Sequence, residues 1–143
     1  MSSVYVDTSV LAKRYLPSPQ SDRVEAMLDR AEHRFVLSEL VIVELESALR
    51  RRAGERSGKT VDRAKVRLRF DDDLRSGFFI IHPLRTSILV GARRWIAEGE
   101  PLATLDALHL ATALEANADV LATDDRQFAR AARAAGLRVE TFV

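Results

Sequence analysis

Five acidic residues of this sequence are candidates for a single chemical site: Asp7, Glu44, Asp106, Asp124 and Asp125. The first directly follows an apolar run at positions 4–6, a pattern typical of a short buried strand. The last two come just after a second such run at positions 120–122. Ligands of open parallel sheets lie at the carboxyl ends of the strands, so we expect these acids to lie at one edge of a sheet.

Glu44 and Asp106 are predicted to lie on helices, where ordinary folding does not explain a carboxylate. In the helix predicted from Glu39 to Ala53, Glu44 projects at the shoulder of the apolar stripe, whereas Glu46 projects toward solvent. Asp106 lies near the start of a helix that is apolar nearly all round and is therefore predicted to be buried. Charged side chains are seldom buried unless they are paired or bind metal. Simple stabilisation of the first helical turn is the alternative role for Asp106.

Several carboxylates brought together repel one another and raise one another's pKa values, and a divalent cation relieves that repulsion. The sequence has no cysteine and only three scattered histidines. Oxygen ligands without thiolates or a histidine pair favour Mg²⁺ or Mn²⁺ over zinc. Two such cations suit hydrolysis of a phosphodiester bond, because one activates water and the other stabilises the leaving oxygen.

Neighbouring polar residues are candidates for supporting roles in the same site. The hydroxyls of Thr8, Ser9 and Thr123 lie beside the acids and can orient ligands, water or a phosphate, but each is equally suited to a helix cap or a turn. His109 follows Asp106 by three residues, so a hydrogen bond between them is one possibility.

Short apolar runs alternate with amphipathic segments along the chain, which predicts an α/β fold. Strands are expected near residues 4–6, 35–37, 78–81, 120–122 and 139–142, with helices between them. Thr8, Ser38 and Thr104 are predicted helix caps, and a charged helix is predicted from Lys59 to Arg75. The expected architecture is a central parallel sheet of about five strands covered by helices on both faces. Trp95, at helical spacing with apolar neighbours, is assigned to the core rather than to base stacking.

Length and composition indicate a single globular domain over residues 1–143. The absence of cysteine excludes a disulfide framework and a thiolate zinc site. No leader pattern and no apolar stretch near the roughly 20 residues of a membrane span occur, so we expect a cytoplasmic protein with no membrane partner.

Positive charge is concentrated in one segment although the net charge is only +1. The segment from Arg50 to Arg69 contains nine basic residues against Glu55 and Asp62. Such a segment can attract nucleic-acid phosphates, or it can form a solvated helical hairpin. Lys13 and Arg14, near the first acid, can add to the attraction.

Four motifs together resemble those of PIN domains. Val4-Tyr5-Val6-Asp7-Thr8-Ser9 resembles the opening motif, and Ser38-Glu39-Leu40-Val41-Ile42-Val43-Glu44 the second. Leu105-Asp106-Ala107-Leu108-His109-Leu110-Ala111-Thr112-Ala113 is similar to the third, which is the most specific. Leu121-Ala122-Thr123-Asp124-Asp125-Arg126-Gln127-Phe128 is similar to the fourth. The motifs stand in the family's order, cover almost the whole chain, and resemble most the VapC-type toxins of VapBC toxin–antitoxin pairs.

The resemblance implies a PIN-like α/β/α sandwich and an endoribonuclease dependent on Mg²⁺ or Mn²⁺. It also implies a homodimer and a VapB-type antitoxin that blocks the site. Asp7, Glu44 and Asp106 correspond to the family's acidic triad. The family's Thr-x-Asp spacing selects Asp125 as the fourth acid, while the adjacent Asp124 is the alternative or shares the role. The basic segment then has three possible contacts, which are RNA, the dimer partner and the antitoxin.

Three other functions remain open from the sequence. A PIN nuclease with a housekeeping role in RNA processing, or acting on structured DNA, would carry the same acids. A non-catalytic PIN module that binds RNA or protein is a second possibility. An aspartyl-phosphate phosphotransferase is disfavoured, because such enzymes usually need a second acid two residues after the first, where this chain has Ser9.

Overall fold

The computed structural model describes residues 1–53 and 61–143 and is built on one parallel sheet. Its strands are β1 (Ser2–Val6), β2 (His33–Ser38), β3 (Phe79–His82), β4 (Val120–Thr123) and β5 (Arg138–Thr141). The strand order is β3-β2-β1-β4-β5, and each neighbouring pair is parallel. The predicted central sheet of about five parallel strands is therefore confirmed.

Helices cover both faces of the sheet. They are α1 (Thr8–Tyr15), α2 (Ser21–Leu28), α3 (Val41–Ala53), α4 (Arg63–Arg75), α5 (Thr86–Ala97), α6 (Thr104–Glu115) and α7 (Arg126–Ala134). Alternate residues of β1 serve the two layers: Val4 and Val6 pack with α1 to α4, while Tyr5 packs with α6 and α7. The α/β/α sandwich is thus as predicted. No helix within the described ranges is long and apolar enough to cross a membrane.

Several predicted boundaries differ from those observed. The helix predicted from Glu39 begins two residues later, at Val41, because the Glu39 amide bonds to the His82 carbonyl and the Leu40 amide to the Ser38 hydroxyl. The charged helix begins at Arg63, where the Asp62 side chain accepts a hydrogen bond from the Lys65 amide. Residues 59 and 60 of that prediction lie outside the described residues.

Two predictions concern residues outside the five candidate acids, and their outcomes differ. Trp95 is half-buried and packs against the core between the sheet and α6, which confirms its assignment to the core. Glu46, predicted to be solvated, is 45% exposed and also forms an ion pair with Arg67 of α4. Sequence spacing on one helix cannot reveal a partner that a second helix supplies.

The strand order places a switch point between β1 and β4. From β1 the chain moves outward through β2 to β3, and it then crosses back to continue through β4 to β5. Connections from β1 and β4 therefore leave the sheet in different directions and open a crevice at their carboxyl ends. Asp7 follows β1 and Asp124 follows β4, so this crevice is where the predicted site must lie.

A buried polar contact fastens α4 to α1. The carboxylate of Asp73 accepts hydrogen bonds from the Tyr15 hydroxyl at 2.5 Å and from Arg14 Nε at 3.0 Å. Arg14 also bonds Glu25 of α2 and lies over the ring of Phe78. Burial alone would raise the pKa of Asp73, but the bonds from Arg14 and Tyr15 lower it below its ordinary value.

Asp73→Asn is expected to lower the free energy of unfolding by about 1.5–3 kcal/mol at pH 7, because it removes a charged acceptor from two donors. Urea unfolding followed by circular dichroism measures the change. Asp72→Asn is the matched control, since the Asp72 carboxylate forms an exposed pair with Arg75, and it should change stability by less than about 0.5 kcal/mol. Equal losses in the two variants would contradict a special role for Asp73.

Candidate active site

One cleft at the carboxyl edge of β1 and β4 is lined by all five candidate acids. It has a volume of about 480 Å³ and lies between the start of α1, the middle of α3 and the start of α6. Asp7, Glu44, Asp106, Asp124 and Asp125 all contribute to its wall. Arg51 of α3 lines it as well and is the one basic residue among the described residues that does so. The tertiary structure thus brings together acids up to 118 positions apart in the chain.

Asp7 is the most deeply buried acid of the cleft, with 6% of its surface exposed. The hydroxyls of Ser9 and Thr123 both donate to its Oδ2 atom, each at 2.9 Å. Its Oδ1 atom accepts no hydrogen bond from any residue in the described ranges. Burial raises the pKa of Asp7 above its ordinary value, although the hydroxyl bonds and the nearby His109 partly oppose the rise.

Glu44, like Asp7, is held by hydrogen bonds to one of its two carboxylate oxygens. Its Oε1 atom accepts hydrogen bonds from the Thr8 hydroxyl at 2.9 Å and from His109 Nε2 at 2.6 Å. Burial would raise the pKa of Glu44, but the hydrogen bond and charge of His109, the hydrogen bond from Thr8 and the charge of Arg51 together lower it. The predicted capping role of Thr8 is wrong, since Asp7 occupies the N-cap position of α1 and the Thr8 side chain turns to Glu44.

His109 contacts a different acid from the one suggested by its spacing. Its Nε2 atom bonds Glu44, not Asp106, and its Nδ1 atom lies 2.5 Å from the Tyr5 hydroxyl. Burial would lower the pKa of His109, but the bond to Glu44 and the charge of Asp7 raise it. Sequence analysis missed Tyr5. The available signal was a histidine inside an apolar helix, which must find polar partners when buried.

Asp106 lies in the first turn of α6 and is half-buried, less enclosed than the apolar helix around it predicts. No hydrogen bond from a described residue reaches its carboxylate. Burial first, and then the charges of Asp7 and Asp125, raise its pKa from 3.8 to about 6. The N-cap position before it is Ala103 rather than the predicted Thr104, which begins the helix. Asp106 therefore carries much of the cost of crowding negative charge.

The two adjacent acids after β4 have different partners. Asp124 forms an ion pair with Lys13 of α1. Asp125 is the N-cap of α7, and its Oδ1 atom accepts hydrogen bonds from the amides of Gln127 at 2.8 Å and Phe128 at 3.0 Å. Of the two, only Asp125 is among the charges that raise the pKa of Asp106. Its Oδ2 atom takes no donor from the described part of the chain.

The donor set of the cleft fits a hard divalent cation. Asp7, Glu44 and Asp125 each have one oxygen anchored by protein donors and one left without a donor in the described residues, and the pKa of Asp106 shows that negative charge is crowded there. Within residues 1–53 and 61–143, however, no three acidic, histidine or cysteine side chains lie in a ready-made coordination cluster. Mg²⁺ usually keeps several waters and takes only one or two carboxylates directly, which suits such a spread of oxygens.

The family model for the PIN domain matches residues 4–134. The chain belongs to the PIN domain family. The match runs from β1 to the end of α7 and includes all four motifs described above. No curated protein sequence matches the chain.

Solved structures with the same fold include toxin–antitoxin proteins. FitAcB from Neisseria gonorrhoeae is 23% identical, with a TM-score of 0.65 and 95% of each chain covered. VapC20 from Mycobacterium tuberculosis, a toxin that cleaves the sarcin–ricin loop, is 16% identical with a TM-score of 0.71, covering 90% of this chain and 94% of that one. VapBC2 from Rickettsia felis, bound to a promoter DNA fragment, is 15% identical with a TM-score of 0.66 and 99% of each chain covered. These likenesses support the PIN fold.

Asp106→Asn is expected to raise the melting temperature by a few degrees at pH 8 without divalent cations, since it removes a charge from a crowded site. A carboxyl whose pKa is raised in the folded state lowers stability as pH rises from 3.8 toward about 6, and the full cost applies above that. The gain should therefore vanish near pH 4. Differential scanning calorimetry at both pH values checks this, with the exposed Glu98→Gln as control. A large fall in melting temperature would instead make Asp106 structural.

Asp125→Asn and Asp125→Ala should differ in stability, because Asn caps helices about as well as Asp whereas Ala does not. We expect Asn to leave the free energy of unfolding nearly unchanged and Ala to lower it by about 1 kcal/mol, measured by urea unfolding. A matching loss in both variants would show that the charge of Asp125, rather than its capping bonds, stabilises the fold. The Asn variant is consequently the one to use in functional tests.

Proposed function

We propose that this chain is a metal-dependent endoribonuclease and the toxin of a VapBC-type toxin–antitoxin pair, active in the cytoplasm. The observation that carries the proposal is the convergence of five acids in one cleft of a PIN domain, three of them with one carboxylate oxygen that takes no donor from residues 1–53 and 61–143. Asp7, Glu44, Asp106 and Asp125 are proposed as the catalytic, metal-binding acids. The sarcin–ricin-loop-cleaving VapC20, which shares the fold, supports RNA as the substrate class.

The hydroxyl residues and the acids of the cleft have different roles in this proposal. Ser9 and Thr123 hold Asp7 by one oxygen, and Thr8 holds Glu44 in the same way. When bound, Mg²⁺ or Mn²⁺ supplies activation of water and stabilisation of the leaving oxygen. Asp106, with its pKa of about 6, is partly protonated near that pH when no cation is bound. Cation binding must displace that proton and should therefore strengthen as pH rises through about 6.

Asp125 is preferred to Asp124 as the fourth acid. It is the one whose charge acts on Asp106, and its Oδ2 atom remains free while Oδ1 caps α7. Asp124 is neutralised by Lys13, which makes it suited to a supporting role or to a shared one once that ion pair opens. Both residues line the cleft, so a shared role needs no movement of the backbone.

Positive charge beside the cleft supports an RNA contact for the first part of the basic segment. Arg51 lines the acidic cleft, and a second groove lined by Lys13, Arg51 and Arg52 adjoins it. These cations lie within reach of a phosphate backbone whose scissile bond sits over the acids. Arg56 and Lys59 of the same segment lie outside the described residues.

Two exposed apolar surfaces support the proposed protein partners. Leu89 and Ile96 of α5 are 49% and 44% exposed and line one groove, which supports a homodimer through this side. Ile42 of α3 is 53% exposed and lines a groove of about 290 Å³ between α3 and α4. That groove suits an apolar helix of a VapB-type antitoxin. The VapBC complex from Rickettsia felis has the same toxin fold and supports this partner class.

Purified protein is expected to cut total cellular RNA into discrete fragments with Mn²⁺ and to leave it intact with EDTA. Asp106→Asn should slow cleavage by roughly a hundredfold or more, because it removes a carboxylate from the cation site. Glu98→Gln, the same acid-to-amide change on an exposed residue just after the end of α5, should cut like the wild type. Gel electrophoresis with end mapping of the fragments measures both rate and position.

Three outcomes would count against the proposal. Cleavage that persists in Asp106→Asn at the wild-type rate would point to a contaminating nuclease or another site. A folded protein that binds Mn²⁺ but cuts no RNA would favour the non-catalytic PIN module. Fragments from precursor RNA alone would favour the housekeeping nuclease over the toxin.

A further inference from the structure

Three side chains form a polar chain from the middle of the sheet to the edge of the acidic cleft. The Tyr5 hydroxyl of β1 lies 2.5 Å from His109 Nδ1, and His109 Nε2 lies 2.6 Å from Glu44 Oε1. Tyr5 and His109 are 0% and 1% exposed, while Glu44 lines the cleft. The three residues belong to β1, α6 and α3, so the chain joins a strand to helices on both faces of the sheet.

Burying these polar side chains costs free energy of folding, so a function that offsets the cost is expected. The ring of Tyr5 packs among apolar residues such as Leu110 and Leu121, and an apolar pair would fill the same space without burying polar atoms. Both ring nitrogens of His109 are engaged, so the imidazole can neither flip nor rotate without losing a bond. Because a carboxylate only accepts, Nε2 carries a proton toward Glu44. Nδ1 accepts from the Tyr5 hydroxyl when the ring is neutral and donates to the Tyr5 oxygen when the ring is protonated.

We propose that His109, held by Tyr5, is a positioning residue that orients the Glu44 carboxylate for a divalent cation. His109 and Thr8 both occupy Oε1, which leaves Oε2 as the oxygen available to a ligand in the cleft. A glutamate side chain has three rotatable bonds and loses conformational entropy when it binds a cation. Because hydrogen bonds already hold one oxygen of Glu44, less of that entropy is lost on binding. The inference rests on the proposed function in one respect, namely that the cleft binds such a cation.

The geometry assigns His109 to positioning rather than to the chemistry itself. It does not line the cleft, and its Nε2 atom lies 3.9 Å from Asp7 Oδ1, beyond hydrogen-bond distance. Its hydrogen bond to an acid of the cleft is the one to Glu44, so it acts on a bound cation or phosphate through that side chain, while its ring also lies close to Asp7. Partners behind metal-binding side chains of this kind typically change metal affinity by about 10–100-fold when they are removed.

His109→Gln and His109→Asn are a matched pair that separates positioning from core filling. The Gln amide nitrogen reaches the level of Nε2 and can still donate to Glu44, whereas the Asn amide ends at the level of Nδ1. We expect His109→Asn to weaken Mn²⁺ binding by about 10–100-fold and His109→Gln to retain most of the affinity. Tyr5→Phe should fall between them, and Glu98→Gln should match the wild type. Isothermal titration calorimetry measures the affinities, and melting temperatures confirm that each variant is folded.

A second readout works without any metal. The proton on His109 Nε2 is hydrogen-bonded to Glu44 Oε1. It should therefore give a downfield, slowly exchanging resonance in proton NMR spectra. Glu44→Gln should shift that resonance strongly, and Asp106→Asn should leave it nearly in place. A resonance unaffected by Glu44→Gln overturns the proposal, as do equal Mn²⁺ affinities in the Gln and Asn variants.

The two readouts separate failure of this inference from failure of the nuclease proposal. If the wild type binds Mn²⁺ but cuts no RNA, the nuclease activity is wrong and the affinity comparison still decides the role of His109. If the wild type binds no Mn²⁺, orientation for a cation is overturned, whatever the resonance shows. If RNA is cut and His109→Asn binds Mn²⁺ like the wild type, only the positioning role is wrong.

Discussion

Crowding of carboxylates at the carboxyl ends of β1 and β4 is the constraint on which the rest of the site depends. Asp7 is 6% exposed, and a buried charge without compensation costs several kcal/mol. The fold meets part of this cost with hydroxyl donors, since Ser9 and Thr123 both bond the same oxygen of Asp7. Asp106 bears a further part of this cost, because its own burial and the charges of Asp7 and Asp125 raise its pKa to about 6. The centre is thus built to accept positive charge.

Three acids of the cleft accept protein hydrogen bonds on one carboxylate oxygen, and within the described residues no donor reaches the other oxygen, which is available to a ligand. Asp125 shows this most simply, because Oδ1 caps α7 while Oδ2 receives no donor from the described residues. Glu44 repeats the arrangement with Thr8 and His109 on Oε1. Asp7, Glu44 and Asp125 are consequently held in place before any ligand arrives, so that less conformational freedom is lost on binding. A site formed in this way depends on helix starts and strand ends, which are rigid positions in a PIN fold.

Much of the fold and the membership of the site follow from the sequence. Apolar runs alternating with amphipathic segments predicted the parallel sheet, and strand-end positions predicted that Asp7 and Asp125 lie near each other. The predicted caps were less successful. Thr8 and Thr104 have the residue type of an N-cap, yet each is the first residue of its helix, and the N-cap positions are Asp7 and Ala103. Local propensity does not include the tertiary partner that drew the Thr8 hydroxyl to Glu44.

The sequence by itself determined the elements, the family motifs and the set of acids, because these depend on short-range pattern and residue type. Only the tertiary structure decided which partner each polar group takes. A hydrogen bond from His109 to Asp106, three residues away, was one possibility, but His109 bonds Glu44, 65 positions away, and Tyr5, 104 positions away. The physical reason is that such pairs depend on the order of the strands and on how α3 and α6 approach the cleft from opposite faces of the sheet. Spacing along one helix carries no information about either.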